Sequence, residues 1–140
     1  MITSRIKEGR IEINVTLKGD FGEQNHWATI DTGFSLGVAL PLKEAMRLGL
    51  SPISVGRVVT ADGEVHNVDI FIGKVRLGND DFEETAFIVI GSEILLGMAV
   101  LSPYRVCFHA DKKEVSIEQS FIKNTHIQDL QQSLRRIIPR

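Results

Sequence analysis

Cysteine occurs once in the 140 residues, at Cys107, so no disulfide within the chain can hold the fold. The thiol lies in an apolar, strand-like run, where a buried inert side chain is expected rather than a nucleophile. No apolar run approaches the length that crosses a bilayer as a helix. The first ten residues alternate polar and apolar and lack the apolar centre of a secretion signal, so cytoplasmic residence is expected. Asn14-Val15-Thr16 matches a glycosylation sequon, which means nothing without secretion. No charge of one sign dominates: 16 basic residues stand against 18 acidic ones, a formal net of −2. That balance gives no footprint for a nucleic-acid surface. His26, His66, His109 and His126 are scattered without ligand spacing, so no metal and no other cofactor is expected.

What is present is ordinary for a globular domain: 43% hydrophobic and 24% charged residues, in a chain long enough for one domain with a real core. Ile11, Ile13, Val15 and Leu17 alternate with polar residues, the period of a strand with one buried face. Gly19 to Gly22 punctuates it, and a second strand runs from about Gln24 into Ile30. Leu36 to Leu40 is a short buried run closed by Pro41. Leu42 to Leu48 reads as a short helix with Gly49 as its stop. Val55 to Val59 and the strand from Val65 flank Ala61-Asp62-Gly63-Glu64, a hairpin signal because Asp-Gly suits the turn that strand twist favours. The return strand continues through Val75 and Leu77 to a turn at Gly78 to Asp81. A strand from Phe82 to Ile90 follows, then the apolar run Ile94 to Leu101, and a last hairpin of Tyr104 to Phe108 with Glu114 to Ile117. Strands at this spacing predict an all-β fold, a barrel or a sandwich, with one short internal helix. Ile127, Leu130, Leu134 and Ile137 recur at helical spacing, which predicts an amphipathic C-terminal helix over 121–140 beyond a domain of 1–120.

The chain is organised around Ala28-Thr29-Ile30-Asp31-Thr32-Gly33. An apolar, β-branched run delivers a carboxylate at its end, and Gly33 lets the backbone turn behind it. A carboxylate removed from water needs donors, and Thr32 and the Gly33 N–H are placed to supply them. Taken alone, these three residues also make an ordinary turn.

Three separated features coincide: the run into Asp31-Thr32-Gly33-Phe34, the Asp62-Gly63 hairpin some thirty residues on, and Ile94-Leu95-Leu96-Gly97 after a similar interval. Gly37, Leu40-Pro41 and Leu95-Leu96-Gly97-Met98 extend the set. In this combination the chain resembles the retropepsin-like, or retroviral-type, aspartic proteases, and within them the small single-domain bacterial members. The likeness covers Ile11 to Glu118 and leaves out the tail. It implies an acid-protease-like fold, a mostly antiparallel closed barrel with a helical turn after the second signature, and an aspartic endopeptidase acting on peptides or proteins. Asp31 would be catalytic, supported by Thr32 and Gly33, and each chain would supply one such Asp to a homodimer. A water held between two Asp31 carboxylates would be activated by one and its proton managed by the other. Ala61, Asp62, Gly63 and Glu64 would form the tip of a substrate-binding flap. The tip is acidic where relatives are glycine-rich, so acidic peptides are expected to be disfavoured. Phe34 replaces a small residue beside the Asp, which reshapes the neighbouring pocket.

Two other readings compete. Gly33-Phe34-Ser35-Leu36-Gly37 matches the elbow of serine hydrolases, yet that elbow opens a helix and this stretch reads as extended. The second alternative keeps the fold but not the chemistry: a catalytically silent dimeric β-barrel that binds peptides or acts as a scaffold.

Overall fold

A computed structural model describes residues 2–119. The expected helix over 121–140, and the domain boundary before it, lie outside the described residues. Ten strands and two short helices follow one another. A hairpin of β1 (Ser4–Lys7) and β2 (Arg10–Gly19) comes first, with β3 (Gly22–Ile30) paired antiparallel to β2. The short β4 (Val38–Leu40) leads into helix α1 (Leu42–Leu48). β5 (Pro52–Val59) and the 13-residue β6 (Val65–Leu77) make the long central hairpin, and β7 (Glu83–Val89) pairs with β6. β8 (Leu95–Leu96) and the single turn α2 (Met98–Leu101) precede a hairpin of β9 (Tyr104–His109) and β10 (Glu114–Gln119).

Eight strands form one sheet in the order β1-β2-β3-β8-β4-β7-β6-β5. An extra antiparallel pairing of β2 with β6, from Val15 opposite Leu77 to Lys18 opposite Lys74, brings the sheet back on itself. The chain is therefore all-β as the alternation predicts, with β1 and β5 left at the ends of the strand order. Two ladders are parallel, β3 with β8 and β4 with β7, and both lie where the chain delivers Asp31.

The core explains the register. Ile13, Val15 and Leu17 on β2, Ala28 on β3, Val38 and Leu40 on β4, Phe87 on β7 and Leu96 on β8 are almost completely shielded from solvent. Thr16, on the other face of β2, is buried too, and its hydroxyl donates to Asn25 Oδ1 at 2.6 Å. A buried hydroxyl without such a partner would cost free energy. A smaller cluster of Ala39, Val68 and Ile88 collects Phe34, Leu36, Val58 and Leu95 around it. That second cluster sits beneath the cleft described below.

α1 starts on Pro41, whose carbonyl accepts from the Glu44 N–H at 3.0 Å. It ends as expected at Gly49, held at φ 72° with its N–H donating to Met46 O. A side chain at this left-handed position would be strained. Tyr104 anchors the last hairpin by donating from its hydroxyl to Asp80 Oδ2 at 2.6 Å. Burial first, then Asp80, pushes that phenol above its usual range, so it stays protonated at ordinary pH. Cys107 differs from expectation: it is half-buried, because the two-stranded β9–β10 sheet leaves one of its faces only partly covered.

Candidate active site

β3 carries the chain to Asp31 and β8 fixes where it stops. The Thr29 N–H donates to Ile94 O and the Asp31 N–H to Leu96 O, both at 2.9 Å. The carboxylate itself is held locally. The Gly33 N–H donates to Asp31 Oδ1 at 3.0 Å, and the Phe34 N–H closes the turn on Asp31 O at 3.2 Å. Gly33 does not occupy the left-handed region. Its lack of a side chain matters for another reason, since a Cβ there would come within 3.3 Å of Asp31 Oδ1. Asp31 is half-buried, whereas Thr32 and Gly33 are exposed. Thr32 was expected to donate to Asp31 as well, but its side chain bonds to nothing among the described residues.

The second signature braces this turn through its backbone. The Gly97 N–H donates to Gly37 O and the Met98 N–H to Phe34 O, each at 2.8 Å. Approach this close is open only to glycine at 97, because a Cβ would run into Leu36 O and come within 2.7 Å of Phe34 O. Ile94 to Gly97 thus positions the Asp31 loop through its backbone. Ser35 is followed by a bend and then the extended β4, not a helix, so the serine-elbow reading fails on backbone geometry.

The hairpin of β5 and β6 borders the same region. Its tip is tied by the Thr60 N–H to Glu64 O at 2.9 Å and the Gly63 N–H to Thr60 O at 2.8 Å. Asp62 organises the tip, taking the Thr60 hydroxyl and, at 3.0 Å, the Glu64 N–H on its Oδ1. Those two bonds, the hydroxyl's first, hold the Asp62 carboxyl below the usual carboxylate range. The tip therefore keeps its clasp into acidic conditions and loosens only once Asp62 takes a proton.

Between Asp31 and the hairpin lies a cleft of about 390 Å³. Asp31, Gly33 and Phe34 form one wall, Val58 to Ala61 another, and Ile88, Ile90 and Leu95 the floor. Among the described residues, Asp31 is the single ionisable side chain lining it. Of the residues expected at the site, Asp31, Gly33 and Ala61 come together in this cleft, while Thr32, Asp62, Gly63 and Glu64 do not line it. Asp62 turns back onto its own hairpin, so the acidic charge sits at the tip's exposed edge.

The sequence model of the family described as "Aspartyl protease" matches residues 13–100, a span that holds the Asp31 turn, the hairpin and Gly97. The chain belongs to the aspartyl protease family. A solved structure, a retropepsin-like aspartic protease from Rickettsia conorii, shares the fold: the TM-score is 0.54 at 24% identity, over 84% of this chain and 87% of that one. No curated protein matches the chain. The family's reaction, as its name states, is hydrolysis of peptide or protein substrates by aspartate.

Sequence reasoning missed two features of this aspartyl protease. Thr60 was not singled out, although a Thr two residues before an Asp-Gly turn can bond the Asp side chain and preset the tip. The other is a second cleft of about 470 Å³, lined by Arg10, Glu12, Trp27, Lys43, Glu44 and Glu93 among others. Its charged walls are largely matched. Arg10 pairs with Glu93, Arg5 bonds Glu12 at 2.8 Å while lying 4.0 Å over the Trp27 ring, and Arg47 reaches Glu44 at 3.4 Å. Trp27 is accordingly half-buried in that wall.

Proposed function

We propose that the protein is an aspartic endopeptidase whose active site is completed when two copies bring their Asp31 turns together. The observation that carries this reading is the isolation of Asp31. It stands half-exposed in the wall of an apolar cleft, oriented by Gly33 and braced by Leu96, with no second titratable group among the described residues lining that cleft. Peptide hydrolysis by carboxylates needs a base to take a proton from water and an acid to give one to the leaving nitrogen. One aspartate supplies half of that set. A two-fold related copy supplies the other half, because an isologous contact places identical residues opposite each other.

In the assembled site the two Asp31 carboxylates share one proton, since close like charges do not both ionise. The ionised member deprotonates a water lying between them. The protonated member polarises the peptide carbonyl, and the pair titrates as a unit. The Gly33 N–H bond to Oδ1 holds the carboxylate plane during both transfers. Thr32, exposed and without a partner among the described residues, is free to bond across the two-fold axis. The hairpin of β5 and β6 acts as a flap that closes over the peptide and excludes water.

A mixed peptide library incubated with the protein from acidic to neutral pH tests the reading. Defined internal cuts are expected, disappearing on dilution as the dimer dissociates, and favouring basic over acidic peptides because of Asp62 and Glu64. A well-folded dimer that makes no cuts would instead support the catalytically silent peptide-binding module. Equal cutting of acidic and basic peptides would remove the role assigned to the flap charges.

A further inference from the structure

We infer that Phe34 sets the size of the substrate side chain accepted beside Asp31, confining that subsite to aliphatic residues; the inference rests on the active-site reading above. Among the described residues, Phe34 carries the one aromatic ring in the cleft's lining. The remaining apolar wall is made of smaller groups, Ala39, Val58, Val59, Ile88, Ile90 and Leu95. Its ring is therefore the bulkiest feature a substrate side chain meets next to the carboxylate.

The ring also has little freedom to withdraw. Its backbone is tied at both polar groups, the N–H to Asp31 O at 3.2 Å and the carbonyl to the Met98 N–H at 2.8 Å. Behind it lies Gly97, close enough that a Cβ on that residue would come within 2.7 Å of the ring's Cδ2. Its inner side packs onto the buried cluster of Ala39, Val68 and Ile88. A branched aliphatic side chain can lie against such a fixed wall. A bulkier aromatic one would press on it, and a packed surface of this kind resists displacement.

The steric reading has a consequence that a purely structural role for Phe34 lacks. Shortening the ring should not merely weaken the enzyme; it should change which side chain is preferred. Discrimination by pocket size is worth about ten-fold or more between side chains that differ by a few carbons.

The test uses two non-hydrolysable hydroxyethylene peptide analogues, identical except for Leu or Phe next to the replaced bond. Their binding to wild type, Phe34→Ala and Phe34→Leu is measured by calorimetry on the full chain. Wild type is expected to bind the Leu analogue about ten-fold tighter, and Phe34→Ala to reverse that order. Phe34→Leu, which keeps the inner packing, should fall between them and guards against a folding defect in the Ala variant. Both analogues binding with the same preference in all three proteins would overturn the inference and leave the protease reading intact. A wild type that prefers the Phe analogue would overturn it as well. Failure of the wild type to bind either analogue would bring down the protease reading, and this inference with it.

Discussion

Asp31→Asn is expected to eliminate peptide hydrolysis while leaving the protein folded and dimeric. The asparagine side chain retains an oxygen to accept the Gly33 N–H, which now reaches Asp31 Oδ1 at 3.0 Å. The loop geometry, fixed by Leu96 and Met98 through backbone bonds, does not depend on the carboxylate's charge. What the amide cannot do is hold and release a proton. General acid and base roles each contribute about 10²- to 10⁴-fold, and here one residue type carries both, so kcat/KM should drop by at least about 10³-fold. Stability should change little, because Asp31 is only half-buried. Rates on a peptide taken from the library, set beside urea unfolding of both proteins, check the two halves separately. Retained cutting would remove Asp31 from the chemistry.

Gly97→Ala is expected to damage stability and activity together. The added methyl would collide with Leu36 O and crowd Phe34 O and its ring. Two of those three neighbours are backbone atoms in braced segments, so a rotamer change does not relieve the contact. Overpacking of this sort costs about 1–3 kcal/mol, and the upper half of that range is expected at a site this closed. The strain falls on Phe34, three residues from Asp31, through the bond that Met98 makes to its carbonyl. A displacement of the carboxylate by about 1 Å would lower activity roughly 10²-fold. Thermal unfolding and kcat/KM, measured on the folded fraction, should both register the change. Wild-type values in both would show that the second signature does not position the Asp31 turn.

Local pattern made much of this readable. The alternation of Ile13, Val15 and Leu17, the stop at Gly49 and the Asp62-Gly63 turn are short-range signals, and each appears in the structure where expected. The Asp31 turn stood out because an apolar strand runs into Asp-Thr-Gly well before a second apolar signature ending in Gly97, and the structure sets those two segments side by side. Features set by distant partners were not legible. β1 looked like an unremarkable polar–apolar leader, yet it turns at Glu8 and Gly9, both at positive φ, to pair with β2. The parallel ladders of β3 with β8 and β4 with β7 join segments far apart in the chain, and periodicity carries no information about which strands meet. The burial of Thr16 follows from β2 pairing with both β3 and β6. Cys107 was assigned to a core because its neighbours are apolar, but its hairpin stands outside the main sheet.

The central claim is that two chains share one active site, and subunit mixing tests it most directly. Wild type is incubated with a nine-fold excess of Asp31→Asn until subunits have exchanged, and activity per wild-type chain is followed. Random pairing then leaves about a tenth of wild-type chains facing another wild-type chain, so activity should fall to about that fraction. Undiminished activity, with exchange confirmed by labelled subunits, would mean that a single chain holds a complete site and would contradict the account.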